Sequence, residues 1–278
     1  LETQDRGEAV RAAVELKQLN DSRKAMTEEY VKLAVRSVEE GPIRDDRVLV
    51  VFLPDCHESL AGIIAGRVRE KYHRPVFLLT RSEEGVKGSG RSIETYHMYE
   101  EMTKVNHFFT RYGGHKMAAG LSMEEKDVDC FRREINAICR LTQEDMEEKV
   151  HIDVPMPVSY VSWPLVEELE RLEPFGNGNP RPLFAQKDLE FLSARVLGKN
   201  RNAVRFTVLD DKGKRWEMMA FGDPDSMDAY LAERFGQAAV DGLYRGRGEG
   251  IRLSVAYYPS VNTWQGNAKL QLIMKYYQ

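Results

Sequence analysis

Of the 278 residues, 42% are hydrophobic and 30% charged, which is enough apolar material for two globular domains and too much charge for a membrane-embedded chain. The 40 basic and 44 acidic residues leave a net charge of −4, so a surface coated with nucleic-acid-binding charge is excluded and any polyanion site must be a local groove. Cys56, Cys130 and Cys139 form no Cys-x-x-Cys pair, so neither a disulfide framework nor a thiolate zinc site is expected. No apolar run approaches the roughly 20 residues of a spanning helix, and the termini carry no secretion or lipidation signal. A soluble, cytoplasmic protein with no membrane partner is therefore expected.

In chain order, residues 7–40 are continuously helix-forming, with Val10, Val14, Leu19, Met26, Tyr30, Leu33 and Val38 at helical intervals, and Gly41-Pro42 stops the run. So long an apolar stripe needs something to pack on, which suggests a preceding domain cut away. Residues 48–53 form a solid apolar run, residues 60–72 a helix and residues 76–79 a second apolar run. That succession predicts a βαβ unit with a parallel pair, and hence a mainly parallel sheet. Residues 83–90 read as a glycine-bearing loop, 95–109 as a helix stopped by Gly113-Gly114, and 126–141 as an amphipathic helix.

After an acidic stretch, prolines at 155, 157, 164, 174, 180 and 182 mark a connecting region with one short helix near 165–172. Strands are then predicted at 189–196, 203–209, 215–221, 238–244, 251–258 and 269–276, with a helix at 225–234. Five or six short strands with one helix after the third suit a small closed barrel of the OB type.

Two segments carry candidate chemistry. In Arg111-Tyr112-Gly113-Gly114-His115-Lys116 the glycines allow close backbone approach to an anion that the imidazole could also reach; a helix-stop loop with an exposed histidine fits equally well. In Lys87-Gly88-Ser89-Gly90-Arg91-Ser92, flexible backbone, two hydroxyls and a forked guanidinium have the chemistry of a phosphate site; a solvated turn is the alternative.

Taken together, Gly88-Ser89-Gly90-Arg91-Ser92, Gly113-Gly114-His115-Lys116-Met117-Ala118-Ala119-Gly120 and the stretch from Leu172-Glu173-Pro174-Phe175 to Asn179-Pro180-Arg181-Pro182 resemble the bacterial RecJ family of single-stranded-DNA-specific exonucleases in the DHH phosphoesterase superfamily. The resemblance extends to Leu19-Asn20-Asp21-Ser22-Arg23 and to the terminal barrel. It implies a connecting helix over 1–42 from a missing DHH domain, an α/β DHH-associated domain over 43–143, and a linker plus OB-fold domain over 144–278. It also implies a 5′→3′ exonuclease that releases 5′-mononucleotides in recombination and repair, with two divalent metals, manganese or magnesium, in the DHH domain. The 278 residues contain no Asp-His-His triplet, and Asp55-Cys56-His57-Glu58 lacks a second ligand set. This chain is accordingly expected to hold no cofactor, and to bind single-stranded DNA without cleaving it. Ser59 stands where the family has glycine, although Gly62-Ile63-Ile64-Ala65 is kept.

Carried over residue by residue, the resemblance makes Ser89 and Arg91 candidates for a 5′-terminal or neighbouring phosphate. It makes His115, with the amides of Gly113 and Gly114, a candidate for stabilising charge at the scissile phosphate. Lys116 is a candidate phosphate contact or a solvated lysine, and Arg111 a candidate helix cap. In the barrel, Arg195, Lys199, Arg201, Arg205, Arg245, Arg247 and Arg252 interleave with Tyr244, Tyr257 and Trp264, the mixture that neutralises and stacks a single strand. Phe206, alternating within its strand, is expected in the core, and the Leu172–Pro182 stretch is expected to be a rigid turn without chemistry. A single-stranded-DNA-binding protein is a second candidate partner. Two other readings remain open: a DHH-family phosphodiesterase of short oligonucleotides or cyclic dinucleotides, against which the large terminal barrel argues, and a non-catalytic binding or docking module.

Overall fold

The computed structural model describes all residues except 1, 177, 199, 200, 249 and 265, and the chain divides into two units, 1–149 and 150–278. The first begins with α1 (Arg6–Glu40), whose N-terminal amides at Gly7 and Glu8 are capped by the Asp5 carboxylate. Val10, Val14 and Leu19 lie exposed, whereas Ala34 and Val38 are buried. The buried end of the helix packs with α2 (Glu58–Tyr72), and the Tyr30 hydroxyl donates to the Asp55 carbonyl at 2.6 Å.

The sheet of this unit contains β1 (Leu49–Phe52), β2 (Val76–Ser82), β3 (Gly85–Arg91), β4 (Phe109–Gly114) and β5 (Ala118–Met123), in the order β1-β2-β3-β5-β4. The expected parallel pair is present at β1–β2, but β2–β3, β3–β5 and β5–β4 are antiparallel, so the sheet is mixed rather than mainly parallel. The expected loop over 83–90 is strand β3. Its inward positions are Val86, Gly88 and Gly90, and at the two glycines a methyl would run into Leu79 and Leu121 or into Met98 and Phe77. Glycine at those positions permits dense packing and also erases the apolar alternation by which a strand is recognised. Likewise the expected helix over 95–109 shrinks to α3 (Met98–Lys104), and β4 follows.

Leu49, Val51, Val76 and Leu78 face α1 and α2, while Val48, Val50, Phe77 and Leu79 face the side covered by α3 and α4 (Val128–Ile138). Asn136 of α4 locks that side, because its amide exchanges two 2.9 Å hydrogen bonds with the Val48 backbone at the β1 edge of the sheet. Cys56 and Cys139 are buried and Cys130 is exposed; burial pushes the Cys56 thiol up to about 11, away from reactivity at neutral pH.

In the second unit, β7 (Phe184–Leu197), β8 (Ala203–Leu209), β9 (Arg215–Phe221), β11 (Asn267–Tyr277) and β10 (Arg252–Trp264) pair in that order, and β10 returns to β7. This closes a five-stranded barrel of OB type, to which β6 (Val154–Pro155) adds beside β7. Between β9 and β10 lie α6 (Pro224–Phe235) and α7 (Gln237–Tyr244). The strand expected at 238–244 is therefore a helix, since its buried residues Val240 and Leu243 recur at the i,i+3 spacing of one helical face. A short helix, α5 (Trp163–Glu170), precedes β7, and the Asn179 amide ties the following turn by donating to the Leu172 and Pro174 carbonyls. Among the described residues no helix is long and apolar enough to cross a membrane.

Asp210 fastens the β8–β9 hairpin. Burial pushes its carboxyl up, but hydrogen bonds from Trp216 Nε1 and from the Lys214 and Lys212 amides outweigh this and hold it below its ordinary value. A lowered folded-state value contributes stability above the unfolded carboxyl's pKa, and that contribution disappears as pH falls through the folded value. Asp210→Asn is expected to cost about 1–3 kcal/mol at neutral pH. In urea titrations, the gap to the parent chain should narrow as the pH drops below about 4; a gap independent of pH would contradict the assignment.

Candidate nucleic-acid interface

On β3, Lys87, Ser89 and Arg91 alternate with the inward glycines and therefore point to the α2 side of the sheet. A methyl built on Gly62 of α2 would lie 2.6 Å from Arg91 Nη2 and 3.1 Å from Ser89 Oγ, which places both groups directly beneath that helix. Arg91 Nη1 donates to Ser89 Oγ at 3.1 Å and to the Gly90 carbonyl at 2.7 Å. Lys87 is paired with Glu58 at 2.8 Å. No carboxylate pairs with Arg91 among the described residues, although its side chain is half-buried. A partly desolvated guanidinium without a counter-ion is a ready acceptor of an oxyanion, and its fork suits phosphate.

The register extends this face across the sheet. Arg91 pairs with Ala118, Ser89 with Gly120 and Lys87 with Ser122, while Gly120 pairs onward with Gly113 and Ser122 with Arg111. Directly paired residues share a face, so Gly113 and Arg111 belong to the surface that bears Ser89 and Arg91. Arg111 is thus an exposed strand residue, not a helix cap: it lies within β4, and among the described residues its side chain makes no hydrogen bond to a helix carbonyl.

The β4–β5 turn, residues 115–117, closes beside the end of β3. His115 N donates to the Ala118 carbonyl at 2.8 Å, Ser92 N to Met117 at 2.9 Å and Met98 N to Lys116 at 3.0 Å. Position 115 therefore falls in the row of Ala118 and Arg91, with an exposed imidazole to which no group is hydrogen-bonded among the described residues. Antiparallel pairs alternate between bonded and non-bonded. A bonded 115–118 pair makes 113–120 bonded too, so the Gly113 amide is spent on β5 while the Gly114 amide points to the open sheet edge. The cradle expected from two amides is reduced to one. At Gly114 glycine is required by the fold, since a Cβ would meet the Ala118 carbonyl at 2.5 Å and Ala119 Cα at 2.6 Å; at Gly113 it would meet nothing within 4 Å. Lys116 reaches Glu94 at 3.2 Å, an exposed ion pair of little strength.

On the barrel, Arg195 of β7 and Arg205 of β8 are direct cross-strand partners, and Arg205 is in turn opposite Met219 of β9. Two cations facing each other repel unless an anion lies between or above them; among the described residues Arg205 is relieved only by Glu217 at 3.8 Å. The same outer face carries the row Leu197, Ala203 and Phe221, and Phe221 is 67% exposed. Phe221 was missed in the sequence, although alternation with the buried Trp216 and Met218 in β9 is a signal that places it outside.

Arg201 lies beside Asp225 at 4.0 Å and Arg252 pairs with Glu190 at 2.6 Å. Arg245 and Arg247 are exposed in the turn after α7, which is held to β7 by the Gly248 N–Leu192 O bond. Tyr257, expected in the groove, is instead fully buried, and its hydroxyl donates to the Met156 carbonyl at 2.9 Å, so it has no face to offer a base. Tyr244 is half-buried with its hydroxyl on Asp228, and Phe206 is in the core as expected. Lys199 and the Trp264 side chain lie outside the described residues. Among the described residues no group of three or more His, Cys, Asp or Glu is placed to hold a metal ion.

The DHHA1 domain family matches residues 45–141 and the RecJ OB domain family residues 152–276. The single-stranded-DNA-specific exonuclease RecJ of Bacillus subtilis is 28% identical over 99% of this chain and 33% of its own length; that of Escherichia coli is 28% identical over 96% and 45%. The chain thus spans less than half the length of these curated relatives. The crystal structure of RecJ with Mn2+ from Thermus thermophilus superposes with a TM-score of 0.73 at 27% identity, covering 99% of this chain and 37% of the other. With both domain families matched in sequence and nearly the whole chain matched in structure, this chain belongs to the RecJ family of single-stranded-DNA-specific exonucleases.

Proposed function

We propose that this chain is the strand-holding part of a 5′→3′ single-stranded-DNA exonuclease that releases 5′-mononucleotides in recombination and repair. Ser89 and Arg91 hold a 5′-terminal or neighbouring phosphate, and His115 with the Gly114 amide stabilises charge growing on the phosphate under attack. The outer barrel face is itself a single-strand platform, with Arg195 and Arg205 on phosphates and Phe221 under a base. Hydrolysis itself belongs, on this reading, to a metal-bearing domain that these residues do not contain, so the chain binds without cleaving. The observation that carries the reading is Arg91, half-buried and without a carboxylate partner among the described residues, in the same sheet row as the free His115 imidazole.

Fluorescence anisotropy of a labelled single strand with the purified chain tests this. Neutralising about three phosphates predicts a log–log salt slope near −2. Phe221→Ala should weaken binding about fivefold or more without lowering the melting temperature, because a stacked base contributes about 1–3 kcal/mol. Salt-independent binding, an unchanged Phe221→Ala affinity, or manganese-dependent cleavage by the chain alone would each count against the proposal.

A further inference from the structure

We infer that Gly62 is a positioning residue for the phosphate site, a role that rests on the strand-holding reading above. Gly62 lies in the second turn of α2, where glycine has no conformational purpose: the backbone there is ordinary helix, and a helix-interior glycine is about 1 kcal/mol less favourable than alanine. Core packing does not require it either. A methyl built on Gly62 meets no core atom among its three nearest neighbours; it meets Arg91 Nη2 at 2.6 Å, Ser89 Oγ at 3.1 Å and Arg91 Cζ at 3.4 Å. The clash therefore falls on the mobile end of a side chain and on the hydroxyl it holds. Gly66, one turn further along the same helix, serves as the internal comparison, because a methyl there meets nothing within 4 Å.

The bare backbone of α2 at Gly62 lets the guanidinium approach the helix closely, where its Nη1 engages Ser89 Oγ and the Gly90 carbonyl and fixes the direction of the remaining donors. A side chain at 62 displaces the fork from that position while leaving its charge on the chain. Gly62 thus acts on the ligand through the Arg91 fork, which also holds the Ser89 hydroxyl, and its effect must vanish when Arg91 is gone.

The test compares Gly62→Ala, Gly66→Ala, Arg91→Ala and the Gly62→Ala/Arg91→Ala double variant of the 278-residue chain. The probe is a 5′-phosphorylated oligothymidylate, and melting temperature is measured in parallel. Gly62→Ala is expected to weaken binding about tenfold with an unchanged or higher melting temperature, while Gly66→Ala binds as the parent chain does. The double variant should bind no more weakly than Arg91→Ala, a non-additivity that a purely structural role would not produce. Parent-like binding by Gly62→Ala, or additive losses in the double variant, overturns the inference while Arg91→Ala still reports on the site. Parent-like binding by Arg91→Ala removes the strand-holding reading and the inference with it.

Discussion

Replacing Arg91 with alanine is expected to weaken binding of a 5′-phosphorylated single strand about 10- to 100-fold, the equivalent of about 1.5–3 kcal/mol for hydrogen bonds to a charged group. The stability of the chain should hardly change. Arg91 makes no ion pair among the described residues, and the two bonds it donates end on a serine hydroxyl and on the carbonyl of its own neighbour, so its removal leaves no buried carboxylate stranded. Arg91→Lys separates charge from geometry: the ammonium keeps the attraction and loses the fork. An affinity intermediate between parent and alanine variant is expected, together with a reduced preference for a phosphorylated over a hydroxyl 5′ end. Equal affinities for all three chains in titrations at low salt would remove Arg91 from the site.

Phe131→Ala carries the largest expected loss of stability, about 3–5 kcal/mol. Phe131 of α4 is fully buried and contacts three rings, with centroids 5.3 Å from Phe77 of β2, 6.3 Å from Phe108 and 5.2 Å from Phe109 at the start of β4. All three meet it edge to face, the geometry in which aromatic pairs gain beyond their buried area. Because Phe109 opens the strand that ends at Gly114, the cavity left by truncation also loosens the support of the 115–117 turn. In denaturant titrations the Phe131→Ala midpoint should fall sharply, and Phe131→Leu, which refills most of the volume, should recover much of the loss. A small effect of the alanine substitution would mean that neighbouring rings collapse into the space.

How much could be read beforehand differs between the two units for one physical reason. In the barrel, Ala203–Leu209 and Arg215–Phe221 alternate apolar and polar side chains, so strand limits and inward faces follow from a period of two. In the first unit, β3 and β4 carry glycine where an inward or close-packed side chain would otherwise mark the period, and both strands read as loops. Tyr257 failed for the opposite reason: an aromatic among arginines has a composition suited to stacking, yet its strand position turns it into the core.

The order of residues by itself determined most helices and barrel strands, the division into an α/β half and a barrel half, and the family, because helical stripes, strand alternation and the glycine-bearing motifs are local patterns. Only the tertiary structure decided that Ser89 and Arg91 lie under Gly62 and that position 115 falls in the row of Arg91. It likewise decided that the Gly113 amide is consumed and that Phe221 rather than Tyr257 faces outward. Which residues share a face across a sheet depends on strand order and register, and those are set by pairings between segments far apart in the chain.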